Sequence, residues 1–130
     1  MKVTVSGGDS LRSLAAELAA AGEEAVPEGK KVVGQGCNNI KKDVKRRWSG
    51  LAHLPHLPRA IDYEVRATGT LIDGEVGAND AKLQGKLAWV PEYGTPTSAP
   101  HPALSPAADA EEPRFVAAVE RLGVKLLEGL

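Results

Sequence analysis

The chain has 130 residues, which is enough for one domain of ordinary size with a modest hydrophobic core. Hydrophobic residues make up 42% and charged residues 25%, a normal globular composition that argues against wholesale disorder. The formal net charge of −1 says nothing about a nucleic-acid partner, although the distribution of the charge could, and the single Cys37 cannot form an internal disulfide. Since no apolar run suits a signal sequence or a membrane span, we expect one cytoplasmically folded domain over residues 1–130, with no membrane partner.

The N-terminal third of the chain predicts a short strand and two helices. Apolar and polar residues alternate over Lys2–Ser6, which favours a strand. Leu11–Ala21 has one apolar stripe at helical spacing and is predicted as the first helix. A second helical pattern spans Glu24–Trp48. Its apolar stripe consists of Val33, Cys37, Ile40, Val44 and Trp48.

The middle of the chain predicts an antiparallel meander of three strands. Ile61–Ala67 alternates apolar and polar residues, as a strand with one buried face does. Leu71–Gly77 follows after a turn and is predicted as its antiparallel partner. Leu87–Tyr93 is rich in apolar residues and is predicted as the third strand.

A final helix is predicted to open at Ser105-Pro106, with the serine as its N-cap and the proline at its first position. The predicted fold class is therefore α+β. A small antiparallel sheet, a three-stranded meander plus a possible N-terminal strand, packs against two N-terminal helices and a C-terminal helix.

The histidines and the cysteine form no recognisable catalytic or metal-binding pattern. His53 and His56 lie on either side of Pro55, and His101 is a possible third ligand, whereas zinc needs three or four ligands. Cys37 falls in the apolar stripe, which favours a buried hydrophobe over a nucleophile. We therefore expect no metal, no cofactor and no enzymatic turnover.

A basic cluster lies at the end of the second predicted helix, and its role has several possible interpretations. It consists of Lys41, Lys42, Lys45, Arg46 and Arg47. The cluster could be a solvated helix face, or a stripe that meets phosphates without reading base sequence. Acidic residues of the last helix could also neutralise it, within one subunit or between subunits. Those acids are Glu111, Glu112 and Glu120.

A proline-punctuated loop joins the third predicted strand to the last helix. Prolines stiffen such a loop and remove backbone donors, which suits a contact with a neighbouring subunit; the alternative is an ordinary connection. The residues that we expect to make this contact are Tyr93, Gly94, Thr95, Pro96, Pro100, His101 and Pro102.

The same segment carries a resemblance to a known family. Between Glu92 and Asp109 the chain reads E-Y-G-T, a loop, then P-H-P-x-L-x-P-A-x-D. This pattern resembles the tail-component family of long-tailed bacteriophages, especially members from phages and prophages of actinobacteria. Ile40–Trp48 and Ile61–Val65 are also similar, so that the likeness covers about residues 38 to 122. The chain departs from the family at His53–Pro58, which is richer in histidine and proline.

The resemblance implies a structural virion protein that completes or joins the tail. Its members form homo-oligomeric rings, here expected to be six-fold or twelve-fold, at the head–tail neck or the proximal tail. Such a ring contacts neighbouring neck and tail proteins, and double-stranded DNA passes through its lumen. It is assembled in the host cytoplasm and carries no known catalytic residues. The alternative is a small cytoplasmic nucleic-acid-binding or toxin-like module that uses Lys41–Arg47.

Overall fold

The structure is a computed structural model that describes residues 2–5, 25–69 and 71–128. Within these ranges the chain is α+β, as predicted, with three helices and an antiparallel sheet. The strands are β1 (Lys2–Val5), β2 (Ile61–Thr68) and β3 (Leu71–Ala78), and the α-helices are α1 (Val26–Arg47), α2 (Trp89–Tyr93) and α3 (Leu104–Glu128). Short 3-10 turns precede β2 and α2, at Leu57–Ala60 and Gly85–Leu87. The helix predicted over Leu11–Ala21 lies outside the described residues.

The predicted second helix is confirmed as α1. Its apolar stripe is buried, and Trp48, the residue that follows its last turn, is fully buried as well. Pro27 lies in the first turn, where a missing N–H breaks no helical hydrogen bond. The stripe therefore forms the helix because burial of one face outweighs the cost of its internal glycines.

Strands β2 and β3 form the hairpin that the alternating pattern predicted. They pair in register from Ile61 opposite Ala78 to Thr68 opposite Leu71. Strand β1 pairs with the other edge of β3, which gives the strand order β1-β3-β2. Gly74 of β3 faces α1, and Tyr63 and Val65 of β2 share that face, because they pair with Val76 and Gly74.

The third meander strand, predicted over Leu87–Tyr93, is wrong, because this segment is helical. Gly85–Leu87 is a 3-10 turn and α2 follows it. Gln84 has a positive φ of 65°, and Pro91 cannot donate to a strand ladder. Burial does not alternate along the segment either, since Pro91 and Glu92 are buried in succession, and Leu87 and Trp89, expected on the buried face, are exposed.

The hydrophobic core lies between α1, the inner face of the sheet and α3. Helix α3 runs antiparallel to α1, because Phe115 packs on Gly36 while Lys125 reaches Glu28. The largest fully buried side chains are Trp48, Ile40, Leu57, Ile61, Leu104, Val33, Val44, Val76 and Cys37. Among the described residues, no helix combines the length and the apolar composition that crossing a bilayer requires.

Gly74 is a position where the helix and the sheet approach closely, which makes it sensitive to an added methyl group. A Cβ at this position would collide with the Cys37 sulfur and lie 2.9 Å from Val33 Cγ1. We expect Gly74→Ala to lower the free energy of unfolding by about 1–3 kcal/mol, because α1 must move away from the sheet. Chemical denaturation followed by circular dichroism measures this change.

Gly34→Ala in α1 is the matched control. Its Cβ would meet only Val65 Cγ2, at 3.9 Å, among the described residues. Alanine in a helix interior is favoured over glycine by roughly 0.5–1 kcal/mol, so this variant should be as stable as the parent or more so. Equal destabilisation by both substitutions would contradict the proposed close approach at Gly74.

Candidate functional site

The first turn of α3 is capped by a carboxylate from outside the helix. Glu92 in α2 is buried, with 7% of its surface exposed. Its Oε1 accepts hydrogen bonds from the backbone N–H groups of Ala103, at 3.0 Å, and Leu104, at 2.7 Å. The first N–H groups of a helix lack internal partners and carry partial positive charge, so a carboxylate is a favourable cap. The N-cap predicted at Ser105 is therefore wrong, since α3 begins at Leu104 and is capped by Glu92.

The loop between α2 and α3 contains a tight turn with its own backbone hydrogen bonds. Gly94 has a positive φ of 76°, and a Cβ there would lie 2.9 Å from the backbone nitrogen of Pro100. Thr95 and Ser98 exchange two backbone hydrogen bonds, of 2.9 and 3.2 Å, around a two-residue turn. The Tyr-Gly-Thr part of the sequence motif therefore specifies a tight turn that only glycine fits without strain.

The end of this loop is fixed to the core. The backbone N–H of His101 donates to the Pro91 carbonyl at 2.6 Å. The indole N–H of Trp48 donates to the His101 carbonyl at 2.8 Å, which links the loop to the end of α1. Two backbone anchors and the Glu92 cap therefore hold the loop in one conformation.

Large exposed apolar side chains are concentrated in the segment that leads into this loop. We call them the exposed apolar row: Leu83, Leu87, Trp89 and Tyr93. Trp89 is 50% exposed and Tyr93 is 72% exposed, and both belong to the five-residue helix α2. In the loop itself, Pro96, Pro100 and His101 are exposed. Exposed tryptophan and tyrosine side chains are typical of a protein–protein contact.

The sequence prediction identified only Tyr93 of this row. Leu87 and Trp89 were assigned to a half-buried strand, and a strand would have turned them to the same face as Tyr93 and into the core. Pro91 is the residue that could have revealed them, because proline is disfavoured in a central strand. Without a strand, the i, i+4 spacing of Trp89 and Tyr93 indicates a helix.

The basic cluster does not form one continuous surface. Lys41 Nζ lies 3.8 Å from Asp62 Oδ1 and 5.7 Å from the centre of the Tyr63 ring, at the sheet edge. Arg47 Nε lies 3.2 Å from Asp43 Oδ1, and Arg46 pairs with the same carboxylate. Lys42 and Lys45 make no ion pair with any other residue in the described part of the chain.

The two acids that pair with this cluster have lowered pKa values. Burial of the Asp43 carboxylate acts to raise its pKa, but hydrogen bonds and charge from Arg46 and Arg47 outweigh that effect and lower it. Burial likewise opposes the lowering at Asp62, where Lys82, Asn79 and Lys41 supply the opposing interactions. Both carboxylates are therefore ionised at neutral pH and offset part of the positive charge.

The predicted pairing with acids of the last helix is not made inside the subunit. Glu111 is buried and its Oε1 accepts a hydrogen bond of 2.8 Å from Asn39 Nδ2. Arg114 lies 2.9 Å from Glu111 Oε2 without the orientation of a hydrogen bond. Among the described residues, the exposed Glu112 and Glu120 make no ion pair with the cluster. The acids within reach of the cluster are Asp43 and Asp62 instead.

The histidines and the cysteine lie in separate environments. His53 is exposed, and the backbone N–H of His56 donates to the Gln84 side chain at 2.8 Å. In the described ranges, no three or more His, Cys, Asp or Glu residues are grouped so that they could hold a metal ion. Cys37 is fully buried, as predicted, and burial raises the pKa of its thiol to about 11, which keeps it protonated.

Comparison of the chain with known proteins gives no match to a family model, a curated protein or a solved structure. The fold and its surfaces are therefore the basis for the functional argument, and the resemblance to phage tail components stays a prediction.

The Glu92 cap generates a stability prediction. We expect Glu92→Ala to lower the free energy of unfolding by about 2–3 kcal/mol, because it leaves two buried N–H groups without an acceptor. Glu92→Gln keeps one amide oxygen and should cost less. Glu112→Ala, on the exposed side of α3, should change the free energy by less than about 0.5 kcal/mol. Denaturation curves of the three variants decide the matter, and equal values for Glu92→Ala and Glu112→Ala would contradict it.

The lowered pKa of Asp43 generates a pH prediction. Because the carboxylate is more acidic in the folded chain than in the unfolded one, its ion pairs stabilise the fold above pH of about 4 and are lost as the pH falls through the folded pKa. Asp43→Asn should cost roughly 0.5–1 kcal/mol at neutral pH, and the deficit should shrink in acid. Asp109→Asn, an exposed acid of α3, serves as control. A deficit for Asp43→Asn that grows in acid would refute the assignment.

Proposed function

We propose that the chain is a structural subunit of a long-tailed phage virion, located at the head–tail neck or the proximal tail. In this proposal it forms a homo-oligomeric ring of six or twelve copies, assembled in the host cytoplasm, that completes the tail or joins it to the head. The observation that carries the proposal is the exposed apolar row beside a rigidly fixed loop. The resemblance of Glu92–Asp109 to phage tail components supports the kind of assembly that is proposed.

The exposed apolar row has the features of an assembly contact. Tryptophan and tyrosine are enriched at the centres of protein interfaces, where each contributes much of the binding energy. The adjoining loop is already ordered by the Trp48 and Glu92 hydrogen bonds, so little conformational entropy is lost when it binds. We assign the row and the loop residues Tyr93–Pro102 to the contact with a neighbouring subunit or with the next layer of the neck.

A ring explains how one small chain could surround a channel. Its subunits would meet through heterologous contacts, in which two different surfaces of neighbouring copies join. The rotation from one copy to the next would bring the last copy back into contact with the first, which closes the ring. Double-stranded DNA would pass through the lumen and meet the wall through its phosphates, without sequence preference. The role is structural, and no catalysis is part of the proposal.

The rival proposal is a small cytoplasmic nucleic-acid-binding or toxin-like module. Lys42 and Lys45 favour it, because neither is neutralised by a partner among the described residues. Asp43 and Asp62 weigh against it, since each places a carboxylate within the cluster and would repel phosphates. A single chain that binds DNA tightly and never self-associates would favour the rival.

The row makes a specific prediction for assembly. The parent should have a native mass of six or twelve chains, whereas Trp89→Ser/Tyr93→Ser should be monomeric or dissociate far more readily. Loss of one interface aromatic costs about 2 kcal/mol, or roughly thirty-fold in Kd. Native mass spectrometry gives the number of chains, and incorporation into phage particles gives the location.

Leu71→Ser is the matched control, because Leu71 is 62% exposed and lies in β3 rather than in the row. It should assemble like the parent, and all variants should keep the parent's unfolding transition. A parent that stays monomeric at high concentration and joins no tail particle would refute the proposed function. Normal assembly of the Trp89→Ser/Tyr93→Ser variant would refute the role given to the row.

A further inference from the structure

One edge of the sheet has no partner strand among the described residues. In the strand order β1-β3-β2, strand β2 lies at an edge and pairs only with β3. An edge strand presents a row of backbone N–H and C=O groups that another strand can bind. We infer that β2 of one subunit pairs with β2 of a second copy, antiparallel and about a two-fold axis at Val65. This contact is separate from the exposed apolar row, and the inference does not rest on the proposed ring.

The register of the hairpin determines which backbone groups of β2 face outward. The N–H of Asn79 donates to the carbonyl of Ala60 at 2.7 Å, so these two residues continue the β2–β3 ladder as a hydrogen-bonded pair. Hydrogen-bonded pairs alternate along an antiparallel ladder, so the backbone groups of Tyr63, Val65 and Ala67 point away from β3. In the described part of the chain, no loop or side chain forms a hydrogen bond with them.

Strand β2 lacks the short length, the proline and the bulge that usually block an edge. It has eight residues without a proline, and it pairs with β3 without interruption from Ile61 to Thr68. Helix α3 contacts α1 and β1, so it lies towards the opposite edge of the sheet. Charged residues can also block an edge, but only against a strand whose charges do not complement theirs.

The charges of β2 select one register for two copies. When Val65 lies opposite Val65 of the second copy, Glu64 lies opposite Arg66 on the outer face, and the two-fold axis repeats this pair. A shift of the axis to Glu64 would place two glutamates opposite each other, and a shift to Arg66 would place two arginines opposite each other. Both shifts are unfavourable because like charges directly opposite destabilise a ladder. On the inner face Tyr63 then lies opposite Ala67, whose small side chain leaves room for the ring.

Both members of this charge pair can reach a second copy. Glu64 is exposed and makes no ion pair in the described ranges. Arg66 Nη2 already lies 2.6 Å from Glu75 Oε1 and 3.4 Å from Asp73 Oδ2, yet the side chain of Arg66 is 46% exposed. A guanidinium has five N–H donors, so Arg66 can bind a third carboxylate without releasing the first two. The pairing therefore adds contacts to the subunit without breaking those within it.

A second copy suits this edge better than an unrelated strand, because its β2 supplies the complementary charges in the same register. Pairing of one strand with one strand is a small contact, in the range below about 1,200 Å² that is typical of transient association. We therefore expect a dimer that forms at high protein concentration and dissociates on dilution. The Trp89→Ser/Tyr93→Ser variant, which lacks the row, should be monomeric when dilute and should form this dimer when concentrated.

Cysteine cross-linking tests the register. The variants are Glu64→Cys and Arg66→Cys, each made in the Trp89→Ser/Tyr93→Ser chain. In the inferred register, residue 64 of one copy and residue 66 of the other have Cα atoms about 4.5 Å apart, which a disulfide can bridge. Two copies of residue 64, or of residue 66, lie about 7–8 Å apart, which is too far. With oxidised glutathione as oxidant, an equimolar mixture should give roughly ten-fold more disulfide-linked dimer than either variant alone, measured by non-reducing electrophoresis. Cys37 is fully buried and protonated, so it does not compete.

Glu112→Cys mixed with Glu120→Cys, in the same chain, is the control for random collision, because both positions are exposed on α3. Equal yields from the control mixture and from the mixture of Glu64→Cys with Arg66→Cys would overturn the inference. Preferential linking of Glu64→Cys to itself would also overturn it, since the axis would then lie at Glu64. Neither result bears on the proposed ring, because the row is removed from every chain that is compared.

Sedimentation equilibrium at high concentration tests the charge pair. In the Trp89→Ser/Tyr93→Ser chain, Glu64→Arg places two arginines opposite each other and should raise the Kd of the dimer by roughly ten-fold or more. Glu120→Arg makes the same change in net charge away from β2 and should leave the Kd unchanged. Circular dichroism verifies that each variant is folded. A chain that stays monomeric at every concentration, or a Glu64→Arg dimer as tight as the Glu120→Arg dimer, would show that the inference is wrong.

Discussion

The buried carboxylate of Glu92 joins parts of the chain that would otherwise be independent. It neutralises the amino end of the 25-residue helix α3 and, in doing so, fixes the position of α2 relative to that helix. The end of the loop between them is held by a hydrogen bond from the Trp48 indole. The orientation of the exposed apolar row therefore depends on one polar contact inside an apolar core, and such a contact is costly to leave half made.

The elements with local patterns could be predicted from the sequence. The stripe from Val33 to Trp48 gave α1 within two residues at its start and one at its end, and the alternation over Ile61–Ala67 gave the hairpin. Helix α2 could not be found in the same way, because five residues are too few for periodicity to separate a helix from a strand. The capping of α3 by Glu92 was also out of reach, since a cap that lies a dozen residues away depends on how the loop folds.

The candidate surfaces show the same division between local and non-local information. The basic residues at the end of α1 were visible in the sequence, and so was Asp43 among them. The partner of Lys41 was not, because Asp62 reaches it only through the packing of α1 on β2. The opposition of Glu64 and Glu75 likewise appears only when the register of the hairpin is known. Which charged residues meet is thus determined by the packing of the folded subunit.

The two tryptophans of the chain lie in contrasting surroundings, which gives the molecule a built-in optical reporter. Trp48 is wholly enclosed and hydrogen-bonded through its indole nitrogen, whereas half of Trp89 is in contact with solvent. Indole emission shifts to the blue when water is removed from the ring, so the two fluorophores respond to different events. Trp48 changes its emission when the chain unfolds, and Trp89 changes when another molecule covers the exposed apolar row. One spectrum therefore distinguishes loss of the fold from loss of a neighbour.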